Sequence, residues 1–152
     1  GSGYLYLRLI GWINRVGGTI VAFTTYETDG GGIFLNWTTP TLDINASGTQ
    51  GATRVLYPMK VPLNIRTEVS FRAIATDAAA TILANICDPS ESDTAPSATI
   101  APLGNLVSST TVAAAQFTIW TDTSGQIAAK TLTNTLDFFG AVTFGFRWGR
   151  RN

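Results

Sequence analysis

The strongest constraint on this chain is a strict alternation at Gln116-Phe117-Thr118-Ile119-Trp120, with Phe117 and Ile119 on one side and Trp120 on the polar side. A period of two residues means a strand with one buried face. Asp122-Thr123-Ser124-Gly125 follows, a turn cluster in which Gly tolerates φ > 0 and Asp bonds its own backbone. Gln126-Ile127-Ala128-Ala129-Lys130 then runs back, which predicts a β-hairpin.

The same signature recurs along the chain. Tyr4-Leu5-Tyr6-Leu7-Arg8-Leu9-Ile10 places Leu5, Leu7 and Leu9 toward a core, with Tyr4, Tyr6 and Arg8 on the other face. Thr19 to Glu27 reads as one strand, and Ile33 to Trp37 as a well-covered one that Pro40 breaks, before a short Thr41 to Ile44. Asn45 to Ala52 reads as an exposed small-residue loop, and Thr53 to Tyr57 as a strand closed by Pro58. Thr67 to Ala73 alternates with Val69, Phe71 and Ala73 inward; Thr81 to Cys87 is extended after one helical turn at Asp77 to Ala80. The last strand, Val142 to Trp148, aims Val142, Phe144, Phe146 and Trp148 at the core. About ten strands with turns every 8–12 residues or so predict an all-β fold: a jelly-roll-like antiparallel β-sandwich. No linker divides the chain, so residues 1–152 read as one domain, with Gly1 to Gly3 as a scar or fragment start.

Charge then narrows the function. Charged residues make up 13% of the chain, about half the usual share of roughly 25%, and ten basic residues balance ten acidic ones. Nucleic acid and anionic membrane therefore lose their electrostatic driving term, and no apolar run approaches the roughly 20 residues of a membrane-spanning helix. A surface with so little charge points to self-association; a neutral Thr/Ser/Ala/Gly exterior is the other reading.

Catalytic options are few. The chain has no His, which excludes Cys/His and Ser/His/Asp sites and the usual zinc sites, and Cys87 reads as a small buried strand residue. Paired carboxylates remain, as in glycosidases, but Glu27 and Asp29 at a strand end and Glu91 and Asp93 in a polar loop read as solvated. Asp88, Ser90, Glu91 and Asp93 have the oxygen density of a calcium site without the spacing of one. No enzyme activity, metal or cofactor is expected. Aromatic faces are the better signal, because they bind sugars and partner chains with large area at low entropy cost. Trp12, Trp120 and Tyr26 are the candidate ligand-binding residues, and Tyr4, Tyr6 and Arg8 the candidate oligomer interface.

The opening GYLYLRLIGWI, with Arg8 and Gly11, resembles a segment that recurs near the C-terminal part of bacteriophage tail-fibre and minor tail structural proteins. TDTSGQI and the terminal FGFRWGRR are similar in flavour to fibre-tip domains. The resemblance implies a β-sandwich module of the virion, usually a homotrimer, that recognises a host surface glycan or protein. It carries no binding residues across, and here the segment opens the chain, whereas in the family it follows earlier strands. A capsid or tail decoration protein, concerned with assembly alone, and a glycan depolymerase are the alternatives.

Overall fold

The computed structural model describes residues 15–16, 18–28, 32–78, 82–97, 105–108, 112–132 and 135–148. Among them are eleven strands and no helix. A small hairpin, β1 (Arg15–Val16) and β2 (Thr19–Ile20), precedes the main body. The main strands are β3 (Phe23–Thr28), β4 (Gly32–Ser47), β5 (Val55–Pro58), β6 (Glu68–Thr76), β7 (Ile82–Cys87), β8 (Asn105–Ser108), β9 (Val112–Trp120), β10 (Gln126–Thr131) and β11 (Phe138–Trp148). They form a five-stranded sheet, β3-β4-β11-β6-β9, and a four-stranded sheet, β5-β10-β7-β8, antiparallel throughout.

From β4 to β11, every link except β7 to β8 carries the chain from one sheet to the other. Eight strands in the orders β4-β11-β6-β9 and β5-β10-β7-β8 are the connectivity of a jelly roll, with β3 added at one edge. The core lies between the sheets. Trp37, Val69, Phe71, Phe139 and Phe146 come from one side, and Ile82, Ile86, Ile127 and Ala129 from the other. Tyr57 and Phe139 meet across the sandwich with ring centroids 5.4 Å apart, and Trp37 and Phe146 pack at 5.9 Å. Val69, Phe71 and Ala73 point inward as their alternation requires.

Several local expectations are corrected. The Asp122–Gly125 turn exists: Gly125 sits at φ 72°, the Gln126 N–H donates to Asp122 Oδ1 at 2.8 Å and the Asp122 N–H to the Gln126 carbonyl at 3.1 Å. It is a corner, however, and the strands it joins do not pair. β9 follows β6 for nine residues, while β10 joins β5 and β7 in the other sheet. Alternation and turn chemistry are the same for a hairpin and a corner; the long partner decides.

β4 runs through Pro40. Its pairing with β3 ends at Trp37, and its register with β11 skips from Asn36 to Thr41, so Pro40 has no ladder position to fill and its missing N–H costs nothing. Ile33 at the start of β4 is 41% exposed rather than covered. The segment read as one strand from Thr19 to Glu27 is broken at Val21–Ala22. Asn45 to Ser47 extend β4 against Phe138, Phe139 and Gly140 instead of forming a loop, and Gln50 is buried. Its Nε2 donates to the Ala129 carbonyl at 3.2 Å, and its Oε1 accepts from the Tyr57 hydroxyl at 2.7 Å. Pro58 belongs to β5, which is an edge strand and can accommodate it.

β11 starts at Phe138 and passes through Gly140, with Phe139, Ala141 and Thr143 buried. A bulge then leaves Phe144 unpaired, and the buried side moves to Phe146. Val142 and Phe144 are therefore half-buried on the outer face, while Phe146 is core. The side chain of Trp148, the segment 1–14 with Leu5, Leu7 and Leu9, and Ala79 and Ala80 of the expected helical turn lie outside the described residues.

Candidate functional site

The two outer faces of the sandwich differ in what covers them. On the four-stranded sheet, Asn85, Cys87 and Ala128 point away from the core yet are buried, at 2%, 5% and 0% exposure. The acidic segment after β7 lies over them. Arg54 holds it down: Nη1 donates to the Glu91 carbonyl at 2.8 Å, and Nη2 to the carbonyls of Asp88 at 3.1 Å and Pro89 at 2.9 Å. Lys130 reaches Asp93 at 2.8 Å, and Arg66 pairs with Asp88, whose Oδ1 also accepts from the Ser90 N–H and hydroxyl, each at 2.9 Å. Of the carboxylates in this segment, Asp88 is thus paired with Arg66 and Asp93 with Lys130, while Arg54 takes the backbone carbonyls. Among the described residues no group of three or more Asp, Glu, Cys or His could hold a metal ion.

Burial raises the Cys87 thiol pKa, with Arg54 opposing the shift and Glu91, Asp88 and Asp93 adding to it. This is the chemistry of an inert structural cysteine, as its strand context suggests. Glu27 is exposed on β3, while Asp29 lies outside the described residues. Asp43 is an acid whose side chain is buried and whose pKa is shifted. It occupies the extra position where β4 slips against β11, between Leu42, opposite Val142, and Ile44, opposite Ala141. Its side chain is 1% exposed; Oδ2 accepts from the Lys60 N–H at 3.2 Å, and the Lys60 ammonium is 3.9 Å from Oδ1. Burial raises its pKa, and the Thr143 hydroxyl, which makes no hydrogen bond of ordinary geometry, and Lys60 offset that only in part.

Among the described residues, no loop of comparable anchoring lies over the outer face of the five-stranded sheet. Strand register places Trp120, Glu68, Arg147, Phe34 and Tyr26 on one row across all five strands. Trp120 is 38% and Tyr26 55% exposed, on the two edge strands. The centre of the row is the Glu68–Arg147 ion pair at 3.7 Å, and Arg66 lies over the Trp120 ring at 6.0 Å. The adjacent row is small and polar: Thr118, Ser70, Gly145, Asn36 and Thr24. Gly145 is there for space, since a Cβ would stand 2.5 Å from the Leu35 carbonyl oxygen and 2.6 Å from the Phe34 ring, which lies across it. Leu42, Ile74 and Val112 on further rows are also exposed.

Where β4 leaves β11 at Thr38–Pro40, this face dips into a groove of about 280 Å³. Asn36, Thr38, Pro40, Arg72, Val142 and Phe144 line it, and the Arg72 guanidinium sits 5.7 Å above the Phe144 ring. An aromatic face with flanking hydroxyl and amide groups suits the apolar and polar sides of a sugar or a partner strand.

Of the sequence-derived candidates, Trp120 and Tyr26 come together on one row. Trp12, Tyr4, Tyr6 and Arg8 lie outside the described residues. Arg72, Asn36 and Phe144 escaped sequence reasoning. Arg72 is the outward residue between Phe71 and Ala73, and that alternation was the available signal; Phe144 was hidden by its bulge. Comparisons with protein-family models, curated proteins and solved structures find no match for this chain.

Proposed function

We propose that this chain is a virion module of a bacteriophage tail, a fibre-tip domain that associates with copies of itself, most simply as a trimer, and recognises a host surface glycan or protein. The jelly roll serves both capsid and lectin roles, so the fold alone does not choose between them. The observation that carries the reading is the contrast between the two outer faces. The chain pins its own acidic segment over one sheet and leaves the other with Trp120, Tyr26, Leu42, Ile74 and Val112 exposed. The outer face of an antiparallel sheet is ordinarily polar, so such a set is a contact surface in waiting.

Recognition needs no bond-making group on this face, and among the described residues of its rows the one carboxylate, Glu68, is paired with Arg147. Self-association rests on the sparse charge of the whole chain and on the resemblance to fibre tips. The same exposed face supports a second reading, a tail or capsid assembly protein in which it packs against another virion chain. A glycan array probed with the purified domain, together with its mass in solution by light scattering, separates these. Binding to a restricted set of bacterial surface glycans by an oligomer supports the adhesin. An oligomer that binds no glycan favours assembly, and a monomer that binds none overturns both.

A further inference from the structure

We infer that the groove at Asn36, Arg72 and Phe144 takes an acidic sugar, with the Arg72 guanidinium holding its carboxylate. The inference deepens the adhesin reading and rests on it.

Charge is the first support. The five cross-strand rows of the outer face carry three charged residues among the described ones: Glu68, Arg72 and Arg147. Glu68 and Arg147 face each other across β6 and β11 and neutralise one another at 3.7 Å. Arg72 has Gln116 and Val142 as its cross-strand neighbours, and no carboxylate among the described residues pairs with it. The nearby buried acid, Asp43, belongs to the bulge of β4 and is shared with Lys60. The groove therefore presents one uncompensated positive charge in otherwise neutral surroundings, which favours a single anionic group on the ligand.

Orientation is the second support. The Phe144 ring attracts the Arg72 charge at 5.7 Å without taking its N–H groups as a carboxylate would, which leaves those donors for a ligand. Those donors form the fork that matches a carboxylate with two parallel hydrogen bonds. Phe144 can lie beneath Arg72 because the β11 bulge turns it outward, so the feature that breaks the core alternation also builds the site. The remaining walls fit a sugar ring. Pro40 and Val142 offer apolar contact, and Asn36 and Thr38 offer an amide and a hydroxyl for ring hydroxyls.

The test uses isothermal titration of the full chain with sialyllactose, a hyaluronan hexasaccharide and a galacturonate oligomer, each beside its carboxyl-reduced form. At least one acidic form is expected to bind, with at least tenfold loss on carboxyl reduction and weakening as salt rises. Arg72→Gln should remove that preference, and Arg72→Lys, which keeps the charge but loses the fork, should fall between the two. Thermal melts check that both variants fold. Equal binding of reduced and acidic forms, or an unchanged preference in a folded Arg72→Gln, overturns the inference and leaves host recognition standing. If no acidic form binds while an array shows a neutral glycan ligand, only the acidic-sugar assignment falls; if neither binds, both fall.

Discussion

Trp120 and Tyr26 stand at opposite ends of one cross-strand row, on the two edge strands of the five-stranded sheet, with the Glu68–Arg147 ion pair between them. Four strand spacings separate them, about 19 Å. Both rings are partly exposed and neither belongs to the sandwich core. Trp120→Ser is expected to cost about 1–2 kcal/mol and Tyr26→Ser about 0.5 kcal/mol or less, far below a core truncation. Urea melts check this; a loss of 3 kcal/mol or so at either position would mean the residue supports the fold rather than the surface.

The bulge in β11 makes a sharper test of which side each phenylalanine faces. Phe146 is fully buried against Trp37, so Phe146→Ala should cost about 3–5 kcal/mol. Phe144→Ala should cost about 1–2 kcal/mol, since the ring is half-buried on the outer face. Equal losses in denaturant melts would contradict the change of side between them.

These two phenylalanines also show what the sequence could and could not carry. Alternation correctly placed Val69, Phe71, Ala73 and Phe117 inward and Trp120 outward, because β6 and β9 carry no extra residue of their own and pair with each other without interruption. It failed at Val142 and Phe144, where the pattern reads straight through a bulge: Thr143 and Gly145 face the consecutive Phe71 and Ser70 of β6, so Phe144 is the extra residue, while Trp37 to Pro40 of β4 leave the ladder on the other side. The corner at Asp122–Gly125 passed for a hairpin because a turn is local and sheet membership is not. The outward side of Trp120 was legible, and Tyr26 was a candidate contact on a strand apolar on both faces; their sharing a row was not legible, since 94 positions of sequence separation are closed by registers through β6, β11 and β4. The DPSESDTAPS segment read as a free acidic loop because the cations that pin it, Arg54, Arg66 and Lys130, are remote in sequence.

Asp43 gives a pH dependence with a definite sign. Its folded pKa lies above the ordinary 3.8 because burial disfavours the carboxylate. Its contribution to stability is fully present below the unfolded pKa and is lost as pH rises through the folded value. Asp43→Asn should therefore melt higher than the parent at pH 7, and the gap should shrink as pH falls to about 3.8 and below. Thermal melts of both proteins across pH 3 to 7 check it. A gap that widens toward acid would show that the Lys60 pair, and not burial, dominates.

The pinned segment is tested through Cys87. In the native protein its thiol should react slowly with a disulfide reagent at pH 8, being 5% exposed with a pKa raised by burial. Arg54→Ala removes the bonds to the Asp88, Pro89 and Glu91 carbonyls and should speed labelling at least tenfold. Losing the Arg54 charge would by itself raise the thiol pKa further and slow the reaction, so an increase reports uncovering alone. An unchanged rate would show that the segment covers the sheet without Arg54.

If the open face of the five-stranded sheet recognises the host, its exposed aromatic rings should carry the binding. The most direct measurement compares glycan-array binding by the parent domain and by the double variant Trp120→Ser/Tyr26→Ser, with both confirmed folded by near-UV circular dichroism. The parent is expected to bind a restricted set of glycans and the double variant to lose at least about tenfold in affinity, as removal of two aromatic contacts implies. Undiminished binding by the folded double variant would contradict host recognition by this face.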